Sequence, residues 1–188
     1  MNSEIKSELW SWIKAFVIVL LLAFIVRHFL FTNYVVHGES MMPTLQDGNR
    51  LFVNKVGYDF AAPHYGDIII FHATPTDDYI KRVIGLPGDT IEYKKDRLYR
   101  NGKYVPEPYL KTYKDKLSSG AKLTGDFTLQ QKTGQVKVPP GKIWVMGDNR
   151  QISKDSREIG FVDIKTIVGK VGLRYYPFTE INSLREKQ

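Results

Sequence analysis

The sequence contains no cysteine among its 188 residues. Without thiols the chain can form no disulfide scaffold, no iron–sulfur cluster, no thiolate zinc site and no cysteine nucleophile. Proline and glycine are not enriched, at 9 and 15 residues, and 25% of the residues are charged. This composition excludes collagen-like, coiled-coil and fully disordered proteins. The length leaves room for one domain with a hydrophobic core and a short appendage.

The formal net charge of the chain is +7. A positive surplus of this size is compatible with binding nucleic acid, with an anionic membrane surface or with no specific partner. Composition does not distinguish these classes, so the assignment depends on the motifs.

The mean hydropathy of the chain is −0.28, so the sequence as a whole is not strongly apolar. One long apolar run nevertheless lies near the N-terminus. Ala15–Val26 is an unbroken apolar run. A helix extended over Leu9–Phe31 would measure about 33 Å, enough to cross a hydrocarbon core of about 30 Å. Its two cations, Lys14 and Arg27, lie near its ends, where long side chains reach the lipid headgroups. We therefore predict one transmembrane anchor.

A cleaved secretory signal peptide and a buried core helix are the alternatives for this run. Large residues follow it where a cleavage site would require small ones, which favours an uncleaved anchor. Lys6 and Lys14 precede the run and only Arg27 follows closely, so the positive-inside rule weakly favours a cytoplasmic N-terminus. We predict that residues 1–32 form a cytoplasmic stub and single-pass anchor in the cell membrane, and that residues 33–188 form an extracellular domain.

Short apolar runs alternate with turn signals from Tyr34 onward. The predicted strands are Tyr34–Val36, Arg50–Asn54, Asp67–Phe71, Tyr79–Ile84, Thr90–Lys94, Arg97–Arg100, Gln135–Val138, Ile143–Met146 and Ile167–Tyr175. Asn101-Gly102 predicts a type I′ hairpin turn before Lys103–Val105. Strands this close together, without helical patterns between them, predict a mostly β, antiparallel domain. Residues 107–132 have scattered lysines and little apolar pattern, and they predict an insertion at the sheet edge.

Ser40 is the first candidate nucleophile. Gly38 permits unusual backbone angles before it and Pro43 fixes the chain after it, so the hydroxyl and its neighbouring amide can be held in set directions. Glycine and proline near a serine also describe most ordinary turns, and this alternative stays open on the segment alone.

A base for this serine is sought first among the four histidines, but none has a recognisable partner pattern or metal-ligand spacing. Lys81 is a better candidate, because it lies beside Arg82 within a predicted strand, where successive side chains point to opposite faces. A buried lysine can lose its proton near neutral pH, whereas an arginine cannot. Alternatively, both cations face solvent on an edge strand.

A third polar cluster spans residues 147–157 and contains two carboxylates, two arginines and two serines. Such a dense polar cluster is compatible with a solvated turn. Next to the strand of Lys81 it would instead neutralise Arg82 and hold the lysine through a serine hydroxyl.

These clusters, in this order after an N-terminal anchor, closely resemble bacterial type I signal peptidase (leader peptidase), in its Gram-positive single-anchor form. The resemblance covers nearly the whole chain. Its motifs are Ser40–Leu45 (SMMPTL), Gly66–Phe71 (GDIIIF), Lys81–Asp89 (KRVIGLPGD) and Gly147–Arg150 (GDNR), followed by Ser153, Asp155, Ser156 and Arg157. One such motif is suggestive, and four in the correct order are highly specific.

The resemblance implies a membrane-bound serine endopeptidase that removes signal peptides from secreted pre-proteins, cutting after small residues (Ala-x-Ala) through an acyl-enzyme. It implies Ser40 as nucleophile and Lys81 as general base, with Ser153 holding the lysine amine. The supporting residues it implies are Asp148, Arg82, Arg150, Asp155 and Arg157. The implied fold is an antiparallel coiled β-sheet domain outside the cytoplasm. The implied partners are pre-protein signal peptides and the lipid bilayer, without nucleic acid, metal or cofactor.

The oxyanion site departs from the Gram-negative pattern, in which a serine precedes the nucleophile by two residues. Gly38 occupies that position here. The Ser40 amide remains as one donor, and the second donor would be a backbone group, with Gly38 as the candidate, or water.

Two other functions fit parts of the sequence. A self-cleaving repressor also uses a Ser–Lys pair, but it carries a DNA-binding helical domain for which this chain has no room. An anchored β-module that binds peptides or cell-wall material would leave Lys81 exposed and charged.

Overall fold

The computed structural model describes residues 3–25, 31–55 and 62–183. The first helix, α1, covers Ser3–Ile25. The predicted anchor includes residues 26–30, which lie outside the described residues. Its predicted end at Phe31 is wrong, because Phe31 begins a strand whose backbone pairs with Asn54. Within the described ranges, no helix combines the length and apolar character needed to cross a membrane.

The rest of the described chain is mostly antiparallel β-structure, which confirms the predicted fold class. The strands are β1 Phe31–Val35, β2 Arg50–Asn54, β3 Ile68–His72, β4 Asp78–Gly85, β5 Ile91–Lys94, β6 Arg97–Arg100, β7 Lys103–Val105, β8 Phe127–Thr128, β9 Lys142–Met146, β10 Val162–Asp163, β11 Ile167–Tyr176 and β12 Asn182–Ser183. Three short α-helices follow α1 among the residues that the structure describes: α2 Lys111–Lys114, α3 Leu129–Thr133 and α4 Ser156–Ile159.

The strands form two sheets. The larger has the order β1-β2-β11-β3-β4-β9-β10, with β12 paired to β11, and the smaller has the order β7-β6-β5-β8. Asn101 and Gly102 join β6 to β7 with φ of 52° and 74°, as the predicted turn type requires.

The centre of the larger sheet is buried on both faces at β3. Ile68 and Ile70 pack in one apolar cluster, while Ile69 and Phe71 pack in another, as the alternation of a strand requires. The core therefore lies on both sides of this sheet, and β4, which carries Lys81, is held next to β3.

Residues 107–132 contain more apolar packing than their sequence suggests. They supply β8 at the edge of the smaller sheet, and Leu110, Leu123 and Phe127 are buried. The helix α3 follows a capping box at Thr128 and ends at Thr133, with Gly134 as its C-cap residue.

The predicted strand Gln135–Val138 is not a strand. Val138 exchanges hydrogen bonds only with the Gly88–Asp89 turn, where its amide donates to Asp89 O and its carbonyl accepts from Gly88 N. Val136, in contrast, is exposed. One buried valine in an irregular segment produced the apparent strand pattern.

Candidate active site

Ser40 lies in a tight turn between β1 and β2. The Met42 amide donates to Glu39 O over 3.1 Å, and the Leu45 amide donates to Met41 O over 2.9 Å. The Met41 and Leu45 side chains are buried in the core and fix this turn to the domain. Ser40 remains partly exposed at the surface of the turn.

Lys81 of β4 reaches Ser40 across 41 residues of sequence. Its Nζ donates to Ser40 Oγ over 2.9 Å and to Ile80 O over 3.0 Å. The residue is only 4% exposed. Burial lowers the pKa of the Lys81 amine from 10.5 to about 8, against the opposing effect of the Asp155 and Asp148 carboxylates. The amine therefore loses its proton at a much lower pH than an ordinary lysine, and a minor fraction of it is neutral at physiological pH.

Arg82 points to the other side of the strand, as alternation predicts. Its Nε and Nη2 donate to the two carboxylate oxygens of Asp148 over 2.9 and 2.7 Å, and Nη1 donates to Gly66 O over 3.0 Å. The Tyr109 ring covers the guanidinium at 3.9 Å. Both cations of β4 are thus buried, which contradicts their placement at solvent on an edge strand.

The polar segment at residues 147–157 folds against the serine turn. The Asn149 amide donates to Ser40 O over 3.0 Å, and its side-chain amide donates to Glu39 O over 3.2 Å. Asp155 accepts from the Gly147 amide over 3.0 Å and forms a bidentate ion pair with Arg157, at 2.8 Å for both contacts. This segment is a structured, largely buried loop, not a solvated turn.

Arg150 is buried and pairs with Glu107 at 2.6 Å. Its other contacts include Gly147 O at 2.9 Å and the Tyr93 hydroxyl at 2.5 Å. Burial raises the pKa of Tyr93 well above its usual range, so the phenol stays protonated. Sequence reasoning identified Arg150 but missed Glu107, which lies in the predicted insertion.

Ser153 is buried, but its Oγ makes no hydrogen bond to any described residue. The predicted contact from Ser153 to the Lys81 amine is therefore not formed in this structure, where the amine contacts Ser40 and Ile80 instead. Ser153 Oγ lies against Gly147, where an added Cβ would be 2.2 Å from this oxygen. The hydroxyl is next to the serine turn without contacting the amine.

Gly38 adopts a φ of +84°, which glycine accommodates without strain. Its amide donates to Asp47 Oδ1 over 2.8 Å. The prediction of Gly38 as an oxyanion donor is therefore wrong for this conformation, because its N–H is already used.

An open cleft of about 740 Å³ leads to Ser40 and Lys81. Its lining residues are Tyr34–His37, Glu39–Met41, Thr76–Lys81, Ile152 and Lys154. On one side β1 pairs only with β2, and on the other side residues 78–81 of β4 pair only with β3, among the strands that the structure describes. Both walls therefore present a strand edge to the cleft.

One hydrogen bond joins residues on the two walls of this cleft. The Tyr34 hydroxyl donates to Asp78 Oδ2 over 2.8 Å, and Asp78 Oδ1 lies 2.6 Å from His72 Nδ1. Burial and the Asp78 carboxylate raise the pKa of Tyr34 to about 12. The phenol therefore stays a hydrogen-bond donor at physiological pH and ties the two walls together.

Comparison with known proteins identifies relatives over almost the whole chain. Residues 9–176 match the family described as signal peptidase, peptidase S26. Signal peptidase I of Bacillus caldolyticus is 56% identical over 179 residues, which are 95% of this chain and 96% of the relative. Signal peptidase IB of Staphylococcus aureus (strain Mu50 / ATCC 700699) is 46% identical over 179 residues, 93% of each chain.

A solved structure also resembles the fold. The crystal structure of a signal peptidase I from Enterococcus faecalis V583 aligns with a TM-score of 0.56 and 42% sequence identity. The alignment covers 58% of this chain and 96% of the other.

Proposed function

The chain belongs to the signal peptidase family, peptidase S26, and from this premise we propose that Ser40 and Lys81 form its catalytic Ser–Lys dyad. As a serine endopeptidase of the signal peptidase I class, it removes signal peptides. The proposal adds that Ser40 is the nucleophile, that Lys81 is the general base and that the reaction passes through an acyl-enzyme.

The observation that carries this proposal is the contact of a buried lysine amine with a serine hydroxyl. The two atoms are 2.9 Å apart, which is within reach for direct proton transfer. A lysine with an ordinary pKa would be almost fully charged near pH 7, whereas the pKa of about 8 leaves roughly a tenth of the amines neutral.

In the proposed reaction neutral Lys81 accepts the Ser40 proton while Oγ attacks the carbonyl carbon of the scissile peptide. The oxyanion that forms is stabilised by the Ser40 amide, which has no hydrogen-bond partner among the described residues. The protonated lysine then gives its proton to the leaving amine. Water, deprotonated by the same lysine, hydrolyses the acyl-enzyme. This sequence of steps needs no metal or cofactor.

The cleft supports binding of an extended peptide. A strand laid between the edges of β1 and β4 would exchange main-chain hydrogen bonds with one or both walls. Tyr34, Val36 and Ile80 line the cleft and also pack on the core, so they leave shallow apolar pockets for alternate side chains. We propose that these pockets give the preference for small residues in an Ala-x-Ala site.

We propose further that α1 anchors the enzyme in the bilayer, as one pass with the N-terminus in the cytoplasm and the peptidase domain outside the cell. Its apolar side chains are exposed from Phe16 to Leu22. A substrate tethered to the same membrane would meet Ser40 at a raised effective concentration.

The binding-module alternative requires an exposed, charged Lys81, and the 4% exposure of this residue argues against it. The self-cleaving alternative shares the dyad and differs in its substrate. The two are separated by whether a pre-protein added in trans is processed.

The experiment that tests the proposal is an incubation of the full chain in detergent with a labelled pre-protein carrying an Ala-x-Ala site. We expect Ser40→Ala and Lys81→Ala to abolish cleavage while the domain stays folded by circular dichroism. Ser118→Ala and Lys103→Ala, at exposed positions, should retain full activity. Substantial cleavage by a folded Ser40→Ala or Lys81→Ala variant would contradict the dyad.

A further inference from the structure

We propose that Tyr109, in the segment predicted as an edge insertion, is a positioning residue for the dyad and acts through Arg82. This inference rests on the proposed roles of Ser40 and Lys81. Tyr109 is not among the residues that line the cleft to Ser40 and Lys81, so the proposed role is not a contact with the substrate there.

The Arg82 guanidinium is held both in its plane and on its face. Within the plane its nitrogens donate to Asp148 and to Gly66 O. The Tyr109 ring covers one face, with its centroid 3.9 Å from Arg82 Cζ, which is a close cation–π contact. Covering this face also excludes water from the ion pair, which strengthens its electrostatic interaction. The ring therefore helps to fix the position of the guanidinium, together with the hydrogen bonds in its plane.

The Arg82–Asp148 pair is linked indirectly to both partners of the dyad. Arg82 follows Lys81 directly on β4, so a shift of one backbone position moves the other. Asp148 Oδ2 accepts from Thr44 Oγ1 over 2.5 Å, and Thr44 lies in the same turn as Ser40. The Asp148 charge also acts on the Lys81 amine. Displacement of Arg82 would therefore affect both the Ser40 hydroxyl and the Lys81 amine.

Tyr109 is itself fixed from the opposite side. Its hydroxyl donates to Glu107 Oε1 over 2.9 Å, and Glu107 is held by the buried ion pair with Arg150 at 2.6 Å. The ring therefore lies between two buried ion pairs, Glu107–Arg150 and Arg82–Asp148, and links residues 107–109 to the site.

Removing the Tyr109 ring should raise the pKa of Lys81 and lower kcat. Arg82 would become more mobile and better hydrated, and it would neutralise less of the Asp148 charge. A less neutralised carboxylate raises the pKa of Lys81, so a smaller fraction of the amine is neutral at pH 7. We expect kcat to fall roughly tenfold with KM unchanged, because a small misplacement of reacting groups costs rate without affecting substrate binding.

The test compares kcat, KM and the pH dependence of kcat for Tyr109→Leu and Tyr109→Phe in the full chain, with the labelled pre-protein as substrate. The Phe variant keeps the ring and should retain nearly normal kcat. The Leu variant should lose about tenfold in kcat, and its acid limb should move to higher pH. Tyr104→Leu is the matched control, since this exposed tyrosine lies over Arg97 on the smaller sheet and should behave as wild type.

The proposal is overturned if Tyr109→Leu keeps a normal kcat and acid limb, or if its kcat falls without a movement of the limb. An equal loss in the Phe variant would assign the effect to the hydroxyl and overturn the role of the ring. If the Leu variant does not fold by circular dichroism, Tyr109→Met offers a more flexible apolar side chain without an aromatic face, and the same criteria apply. Ser40→Ala is run in parallel, because cleavage by that variant would refute the dyad itself.

Discussion

Arg82 and Asp148 form a bidentate ion pair that is almost completely shielded from water, with 3% and 0% of their side chains exposed. Two charges removed from water cost more free energy than their attraction returns unless their remaining hydrogen-bonding groups are satisfied. Here Gly66 O and the Thr44 hydroxyl provide those further contacts. The ion pair is therefore stable when both charges are present, and removing either charge should destabilise the fold.

Neutralising Asp148 should destabilise the domain strongly. Asp148→Asn leaves the Arg82 charge buried without a counter-charge, and we expect the free energy of unfolding to fall by about 3–5 kcal/mol. Urea unfolding in detergent, followed by circular dichroism, measures this loss. The matched control is Asp163→Asn, whose pair with Lys142 is open to solvent and should contribute little. Equal losses in the two variants would contradict the role of burial.

The rate of cleavage should rise with pH through the pKa of Lys81. Below about 8 the amine carries a proton and cannot accept one from Ser40, so kcat/KM should increase nearly tenfold per pH unit and level off above that value. A pH profile of kcat/KM, with chemistry shown to be rate-limiting, tests this. Lys81→Arg should be inactive across the profile, because arginine stays charged. A flat wild-type profile from pH 5 to about 8 would exclude Lys81 as the base.

The same pKa shift predicts how stability depends on pH. Between about 8 and 10.5 the unfolded chain keeps the Lys81 proton and the folded chain has lost it, so this residue makes stability rise with pH there. Lys81→Met lacks this penalty and should be more stable than wild type by about 3 kcal/mol at pH 7, with the difference shrinking toward pH 10. Urea midpoints of both proteins at several pH values measure it. A difference independent of pH would contradict the assigned shift.

Strand positions were predicted well where apolar alternation and turn residues agree. Arg50–Asn54 and Arg97–Arg100 match β2 and β6 at both ends. The two-residue strands β8, β10 and β12 were missed, because a pair of residues carries no period. Their pairing depends on the other strands of the folded sheets, which local patterns do not encode.

The site was predictable in its residue types and not in its contacts. Lys81 and Arg82 stand out as cations within an apolar strand, and alternation correctly separates them. Asn149 lies within the GDNR motif, so the motif could have indicated it. Glu107 has no such signal, since a single carboxylate in a lysine-rich segment resembles a solvent-exposed residue. Its burial becomes apparent only once the fold brings it to Arg150.

At Gly147 the addition of a single methyl group should strongly lower activity. A Cβ there would lie 2.2 Å from Ser153 Oγ and 2.5 Å from Ser40 O, and the second of these atoms is backbone that cannot move without shifting the nucleophile. We expect Gly147→Ala to lower kcat roughly a hundredfold, as displacement of a reacting group by about an ångström does.

Gly172→Ala is the matched control for Gly147→Ala. Gly172 lies in a strand, and the nearest atom to its added Cβ is Phe52 O at 3.8 Å, an ordinary contact. This variant should keep wild-type kcat and unfolding midpoint. Steady-state cleavage of the labelled pre-protein, together with urea unfolding, separates the outcomes, since Gly147→Ala should lose activity even under conditions where it remains folded. Normal activity in a folded Gly147→Ala would show that the serine turn can shift without losing its alignment with Lys81.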